Sequence, residues 1–304
     1  MKQTVTIKVT IDKLKEMEKF YSEYLVMNNG EYVAFQANVN SIVVTGWLSE
    51  KEMQKVTFVG FNALEEARIW DKDAEVLEVK AKPKEQWIYL GDQIGSDEVG
   101  VGDFLAPMIV VAAFVSERDI PELIKLGIHD SKKLTDTQIR EIGPAAIAKF
   151  KFSKNTLPNW KYNEMIAKGE NLNSLKAKMH NRVLLNLHKE YPDVANIFVD
   201  QFVAPETYFK YLNDAKEEQV RDICFRTKGE SYFPCVALAS VVARYSFLQE
   251  MDILEEKYGM KIPLGASSKV TEFAKKFVDK YGKDEFDKIA KKNFANYSEV
   301  QSDD

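Results

Sequence analysis

The stretch QIGSDEVGVGDFLAPMIVVAAFV, residues 93–115, decides the fold of the larger part of this chain. It holds two runs of strand-forming residues interrupted by glycines, which is typical of two β-strands joined by a turn. Asp97 and Glu98 stand among these glycines, at the end of the first strand. Adjacent residues of a regular strand point to opposite faces, so the two carboxylates share one site only where the glycines let the backbone leave the regular pleat.

The composition predicts a globular protein of two domains. The 304 residues are 45% hydrophobic and 29% charged, which excludes wholesale disorder and a fibrous class. The longest apolar run, Met108–Val115, is far shorter than the roughly 18 residues that a membrane-spanning helix needs. The N-terminal segment alternates polar and apolar residues and lacks the apolar region of a signal peptide. We therefore expect a cytoplasmic protein without a membrane anchor.

Several common kinds of site are excluded. Cys224 and Cys235 form no CxxC pair, so we expect two buried thiols and neither a disulfide scaffold nor a zinc site. A leucine occupies the place of the third glycine in a GxGxxG fingerprint, and no GKS or GKT phosphate loop occurs. The histidines, at positions 129, 180 and 188, follow no Ser/His/Asp order and are expected to make surface or polar contacts.

The chain divides into two predicted domains. Residues 1–70 combine alternating strand patterns with an amphipathic helix, which predicts a small α+β domain. Residues 71–86 are charged and poor in apolar pattern, as in a linker. Residues 87–304 alternate strands and helices, which predicts an α/β domain around a mixed sheet. Within it, Thr135 and the glutamine three residues later open a helix as a capping box, and Gly143-Pro144 is expected to kink or interrupt that helix.

Acidic residues carry the main functional signal. Asp97, Glu98 and Asp200 stand where strands end, and Glu230 is a fourth candidate. Carboxylates gathered at the ends of strands, without basic partners nearby in sequence, repel each other unless a cation lies between them. Oxygen ligands without a cysteine or histidine cluster favour Mg²⁺ or Mn²⁺. Any one acid taken alone is more typical of a solvated strand end or turn than of a site.

A basic tract lies between Ala145 and Lys189, with nine lysines and arginines against two acids, a local balance of +7. Trp160 and Tyr162 lie within it. The tract is compatible with a surface that faces a polyanion and offers aromatic rings for stacking. It is equally compatible with a solvated helix face, and the sequence leaves both interpretations open.

Four motifs in a fixed order resemble the type 2 ribonuclease H family, and in particular its ribonuclease HIII branch. They are GSDEVGVGDFLAP, DSKKLTD, VDQF and TKGESYFPCVALASVVAR, and the resemblance runs from about Ile88 to the C-terminus. It implies a ribonuclease H-like mixed sheet flanked by helices. Residues 1–70 resemble, by position, size and strand pattern, the small TATA-box-binding-protein-like domain of the HIII branch, which implies that they bind substrate.

The resemblance also implies a set of site residues. Four carboxylates would bind two divalent ions, Mg²⁺ or Mn²⁺, and a glutamate as the fourth is a feature of the HIII branch. They are Asp97, Glu98, Asp200 and Glu230. Substrate contacts would come from a turn that addresses the ribose 2′-hydroxyl, where a valine replaces the arginine of the HII branch, and from the DSKKL motif. These residues are Gly100, Val101, Gly102, Ser131, Lys132 and Lys133.

The implied activity is endonucleolytic hydrolysis of the RNA strand of RNA/DNA hybrids by two-metal-ion catalysis, leaving 5′-phosphate and 3′-hydroxyl ends. The implied partner is hybrid duplex, and the protein would act as a monomer. Two other classes of function share these features. A catalytically silent nucleic-acid-binding protein would have the same two-domain layout, and another metal-dependent nuclease of similar topology, such as a junction resolvase, would use comparable carboxylates.

Overall fold

The computed structural model describes residues 3–27, 30, 32–76, 87–213 and 215–301. The chain forms two compact units, Met1–Lys84 and Glu85–Asp304. Most of the predicted linker, residues 77–86, lies outside the described residues. No helix in the described ranges combines the length and apolar character needed to cross a bilayer.

The first unit is a four-stranded antiparallel sheet in the order β1-β4-β3-β2, covered on one face by helices. Its strands and helices, with a 3-10 turn at Ser22–Tyr24, are β1 (Gln3–Val9), α1 (Ile11–Phe20), β2 (Val33–Val39), β3 (Ile42–Trp47), β4 (Gln54–Gly60) and α2 (Ala63–Arg68). The side chain of Thr10 caps α1, whose Leu14 and Met17 join Val5 and Phe58 in the core. Alternation along the strands leaves the other face of the sheet polar.

The second unit contains a five-stranded mixed sheet in the order β7-β6-β5-β8-β9. Strands β5, β8 and β9 run parallel, and β6 and β7 are antiparallel to their neighbours. The elements are β5 (Gln93–Val99), β6 (Met108–Val115), α3 (Ile120–Lys125), α4 (Asp136–Lys149), β7 (Phe152–Leu157), α5 (Asn159–Ala167), α6 (Leu172–Glu190), β8 (Asn196–Asp200), α7 (Pro205–Leu212), β9 (Ile223–Arg226), α8 (Pro234–Tyr258), α9 (Ser268–Tyr281), α10 (Lys283–Ile289) and α11 (Ala295–Gln301), with 3-10 turns at Glu117–Asp119, Ile128–Lys133 and Gly229–Ser231. The predicted mixed sheet flanked by helices is confirmed.

Helices α6 and α8 pack on opposite faces of this sheet. In β6, Ile109 and Val111 join the hydrophobic cluster of α8, and Met108 and Val110 join that of α6. Burial on both faces explains why MIVVAAFV is continuously apolar. Because α8 and α6 cover opposite faces of the sheet, each side chain of β5 faces one of these two helices.

Two sequence predictions about this unit are wrong. Helix α4 continues through Pro144 to Lys149 and is not interrupted there. The helix packs on α8, where the ring of Tyr245 lies against Gly143. The capping box at its start is confirmed. Of the two cysteines, which are both free thiols, Cys235 is buried as expected, but Cys224 is exposed on the last strand of the sheet.

Candidate metal-binding and catalytic site

Asp97 lies near the end of β5, on the face of the sheet that α8 covers. The start of α8 approaches β5 so closely that a Cβ atom at Gly95 would lie 2.5 Å from the Cys235 sulfur. Glycine at this position is therefore required by packing. Two residues further along the same face, Asp97 receives a hydrogen bond from Ser240 of α8.

The side chain of Asp97 is buried and lies close to other acidic side chains. Burial raises its pKa, the charges of Glu98 and Asp200 raise it further, and the pKa reaches about 7 although the Ser240 hydrogen bond lowers it. The backbone N–H of Glu98 donates to Asp97 Oδ1 at 2.7 Å. The structure thus brings three of the predicted carboxylates within electrostatic reach of each other, at the adjacent ends of β5 and β8.

Glu98 points to the other face of the sheet, toward α6. Strand β5 keeps regular pairing with β6 through this region. The expectation that the two carboxylates need a backbone departure to share one site is therefore wrong, because the charge of Glu98 acts on Asp97 without one. Glu98 Oε2 lies 2.9 Å from His180 Nε2, and Glu98 Oε1 pairs with the ammonium of Lys176. His180 Nδ1 lies 2.8 Å from the hydroxyl of Ser96. Burial alone raises the pKa of Glu98, but its partners outweigh burial and the pKa lies below the ordinary value.

Lys176 and His180 are functional candidates that the sequence prediction missed. We expected Lys176 on an exposed basic face, but its side chain is buried, with 8% of its surface exposed. His180 makes polar contacts, as expected, but it makes them fully buried beside a candidate carboxylate. The aromatic ring of Phe202 packs against both. The available signal was their spacing of four residues, which places them on one face of a helix. Glu98 has no basic partner nearby in sequence, as we noted, but packing brings it two from distant positions.

Asp200 and Glu230 are joined through the turn that follows β9. The backbone N–H of Gly229 donates to Asp200 Oδ1 at 3.0 Å. Lys228 takes a left-handed conformation, with φ of 60°, as the chain enters this 3-10 turn. The turn therefore holds Glu230 beside the end of β8.

Glu230 is largely buried and has a basic partner of its own. Its Oε1 lies 2.6 Å from Lys132 Nζ, while its Oε2 is buried with no hydrogen-bond partner among the described residues. Lys132 Nζ also donates to Ser231 Oγ at 3.0 Å. Lys132, which the resemblance placed near the substrate backbone, thus contacts a carboxylate of the site in this structure.

The other predicted substrate residues lie around the same end of the sheet. Ser131 lines a small cavity of about 280 Å³ together with Glu98, Ser240 and the guanidinium-bearing Arg244. Lys133 is exposed at the end of the 3-10 turn Ile128–Lys133.

The predicted ribose-contacting turn directly follows β5. Gly102 is exposed and Val101 is half-buried. Gly100 adopts φ of +83°, and a Cβ atom there would lie 2.0 Å from the Pro107 carbonyl oxygen, so only glycine fits.

The donor set fits a hard divalent cation. All four candidate ligands are carboxylates, Asp97 is held among like charges, and Glu230 carries a buried oxygen without a partner. A divalent cation would relieve both conditions. Within the described residues no three acidic, histidine or cysteine side chains are grouped so as to share one metal ion. Lys176 and Lys132 lie on oxygens of Glu98 and Glu230 that a metal would also use.

The basic tract is mostly neutralised. Seven of its nine cations pair with acidic side chains, and these are Lys149, Lys151, Lys161, Lys168, Lys176, Lys178 and Arg182. Trp160 is exposed but Tyr162 is fully buried, so Tyr162 is not available for base stacking. Tertiary pairing therefore favours the interpretation of the tract as an ordinary helix surface.

Comparison with known proteins agrees with this architecture. A model of the ribonuclease HII family matches residues 94–297, which include all four candidate carboxylates. The fold and the site thus define a member of the type 2 ribonuclease H class. Ribonuclease HIII of Bacillus mycoides is 37% identical over 97% of this chain and 97% of its own length, and that of Bacillus cereus is 36% identical over the same shares. The chain belongs to the ribonuclease HIII branch of this family, which confirms the resemblance seen in its motifs.

Solved structures show the same relationship. The crystal structure of Bst-RNase HIII in complex with Mn²⁺ matches with a TM-score of 0.68 and 30% identity over 98% of both chains. Aquifex aeolicus RNase H3 matches with a TM-score of 0.54 and 22% identity over 95% of this chain and 99% of its own, which supports the fold alone.

Proposed function

We propose that this protein is an endonuclease that hydrolyses the RNA strand of RNA/DNA hybrids and leaves 5′-phosphate and 3′-hydroxyl ends. One observation carries the proposal: the carboxylate of Asp97 is buried at the end of β5 among the charges of Glu98 and Asp200. Retaining clustered negative charge in a buried place is costly, and binding a divalent cation is a function that offsets the cost. Membership of the ribonuclease HIII branch and the Mn²⁺ complex of a related protein support the same function.

Each candidate ligand has a structural role. Asp97, Glu98, Asp200 and Glu230 would hold two divalent ions, Mg²⁺ or Mn²⁺. The chemistry that two such ions supply is activation of a water nucleophile and stabilisation of charge on the leaving 3′-oxygen. Lys176 and His180 orient Glu98, and the Gly229 N–H orients Asp200.

The substrate-binding residues are proposed to surround these ligands. The turn at Gly100, Val101 and Gly102 is proposed to bind the ribose 2′-hydroxyl, the group that distinguishes RNA from DNA. The ammonium of Lys132 pairs with Glu230 in this structure. Because its side chain is flexible, Lys132 can leave this carboxylate and bind a substrate phosphate instead. Ser131 and Lys133, in the same 3-10 turn, are proposed to contact the substrate backbone.

The first unit is proposed to bind the hybrid duplex through the polar face of its sheet. Two rows of side chains cross neighbouring strands there, because Thr6 is paired with Thr57 and Lys8 with Lys55. Trp47, paired with Lys55, completes the second row. These residues line a broad depression of about 1160 Å³. Lysines beside threonines and an aromatic ring suit phosphate contact and stacking. We further propose that the protein acts as a cytoplasmic monomer.

The test is cleavage of an end-labelled RNA/DNA hybrid by the full chain in Mg²⁺ or Mn²⁺, with EDTA as the control. Asp97→Asn should lower kcat by at least about a thousandfold, because metal catalysis depends on the ligand set. Its far-UV circular dichroism should match that of the wild type. The exposed Asp193→Asn is the matched control and should cleave normally.

Assays with other substrates distinguish the two other classes of function from the proposed one. No metal-dependent cleavage, together with retained hybrid binding, would indicate a silent nucleic-acid-binding protein. Efficient cleavage of an all-DNA junction would indicate a nuclease of the resolvase type. Near-normal cleavage by Asp97→Asn would remove Asp97 from the site.

A further inference from the structure

Lys291 places an ammonium group inside the second unit, where charged side chains are rarely found. The residue is completely buried, in the segment between α10 and α11. Its Nζ donates to the carbonyl oxygens of Gly100 and Asp103, at 2.5 Å and 2.8 Å. The rings of Tyr162 and Phe294 lie 5.6 Å from the ammonium.

The two carbonyls mark the two ends of the turn that follows β5. Other contacts hold the distal end in the same place, since the Gly265 N–H donates to Asp103 Oδ1 at 2.6 Å and the Lys291 N–H donates to the Phe104 carbonyl at 3.0 Å. At the proximal end Gly100 has its left-handed conformation. Lys291 is thus the side chain that connects both ends of the turn, from a position far along the chain.

Burying an ammonium costs several kcal/mol unless its hydrogen bonds compensate. Desolvation lowers the pKa of Lys291 to about 8, against the opposing charge of Asp103. An apolar side chain of similar length would fill the space without this cost. The specific gain from lysine is that one group with several donors binds two carbonyls at once and fixes the distance between them.

We propose that Lys291 is a positioning residue that holds the turn from Gly100 to Asp103 in the conformation that recognises a ribose, and that it thereby contributes to the preference for RNA over DNA. This inference rests on the proposed function. Lys291 does not reach substrate, because it is covered completely. It acts through the backbone of Gly100 and Asp103, whose neighbour Gly102 is exposed.

The test compares two hybrids that differ in one atom. One carries RNA throughout, and the other has a 2′-deoxynucleotide at the position 5′ to the scissile phosphate. The values of kcat/KM on the two give a discrimination ratio, and anisotropy in Ca²⁺ gives the corresponding ratio of Kd values without turnover. Lys291→Met keeps the length of the side chain and removes its donors. We expect both ratios to fall by about tenfold or more, chiefly through weaker handling of the all-RNA hybrid.

A general structural lesion would lower activity on both hybrids equally and leave the ratios unchanged, and that result would overturn the proposal. The matched control is Lys292→Met, because Lys292 is the neighbouring lysine, exposed and paired with Asp287. It should keep the wild-type ratios. Lys291→Gln, which retains N–H donors in the same place, should recover part of the discrimination. Lys291→Leu, which also lacks donors, is the second test variant should Lys291→Met be insoluble, and an unchanged ratio in it again counts against the proposal.

Failure of the inference about Lys291 can be distinguished from failure of the proposed function. If the wild-type chain cleaves neither hybrid in Mn²⁺, the proposed function fails. If the wild type cleaves and discriminates while folded Lys291 variants discriminate equally well, only the role of Lys291 fails.

Discussion

Asp97 makes the metal-free protein sensitive to pH. Its pKa in the folded state, about 7, lies above the ordinary value of 3.8 because of burial and neighbouring acids. Between these values the folded state binds more protons than the unfolded state, so this group lowers the free energy of unfolding as pH rises from about 4 to about 7. Above that range its effect is constant. Glu98, whose pKa is shifted downward, acts in the opposite sense.

We therefore predict that Asp97→Asn is more stable than the wild type in EDTA, and that its advantage grows between pH 5 and pH 7. Urea unfolding at several pH values measures the difference in the free energy of unfolding between Asp97→Asn and the wild type. Both proteins contain Glu98, so its contribution largely cancels in this difference. Added Mn²⁺ should raise the stability of the wild type at pH 8 more than that of the variant. An advantage that shrinks as pH rises would contradict the assignment of the raised pKa to Asp97.

Lys132 is predicted to compete with metal for Glu230. Its ammonium lies 2.6 Å from Glu230 Oε1, so Lys132→Met should free that oxygen and tighten Mn²⁺ binding. A partly exposed ion pair is worth about 0.2–1 kcal/mol, which corresponds to at most about a fivefold lower Kd. Isothermal titration calorimetry measures the effect. Lys125→Met, at an exposed lysine far from these carboxylates in sequence, should bind Mn²⁺ as the wild type does, and weaker binding by Lys132→Met would refute the competition.

At the scale of elements, the contact between β5 and α8 positions the site. Adding a methyl group at Gly95 places it 2.5 Å from the Cys235 sulfur and 2.8 Å from the Val236 nitrogen. Strand and helix must then separate, which shifts Asp97 relative to Ser240.

We predict that Gly95→Ala lowers the free energy of unfolding by about 1–3 kcal/mol and lowers kcat more than it raises KM. Denaturant unfolding and steady-state cleavage of the hybrid measure the two effects. Gly102→Ala is the control for stability alone, because nothing lies within 4 Å of its added carbon. Equal stability of Gly95→Ala and the wild type would show that this contact tolerates the extra volume.

At the scale of the whole molecule, each unit has its own hydrophobic core. We predict that a chain beginning at Glu85 folds and cleaves hybrid with a kcat within about threefold of the full chain, and with a KM at least about tenfold higher, because substrate binding by the first unit is lost. Its KM should also depend less steeply on salt, because fewer phosphate contacts are made.

Replacing both Lys8 and Lys55 with serine in the full chain should reproduce part of that rise in KM. Both lysines lie on the polar face of the first sheet, where they are cross-strand partners. An unchanged KM in the truncated chain would remove substrate binding from the first unit.

Much of the fold is encoded locally and could be predicted from the sequence. The capping box at Thr135 and the strand ending at Asp200 both depend on residues a few positions apart. The same holds for the motifs that carry the candidate carboxylates, since glycine spacing and strand ends are visible in the sequence itself. The structure differs from the local prediction at Pro144, where α4 continues to Lys149.

The sequence by itself determined the α/β class, the family and the four candidate carboxylates, because each depends on short-range pattern. Only the tertiary structure decided which cations meet those carboxylates. Lys176 and His180 reach Glu98, and Lys132 reaches Glu230, across long sequence separations. Lys291 reaches the turn at Gly100 in the same way. Such pairs arise from how helices and strands pack against each other, and no local pattern records which side chains that packing brings together.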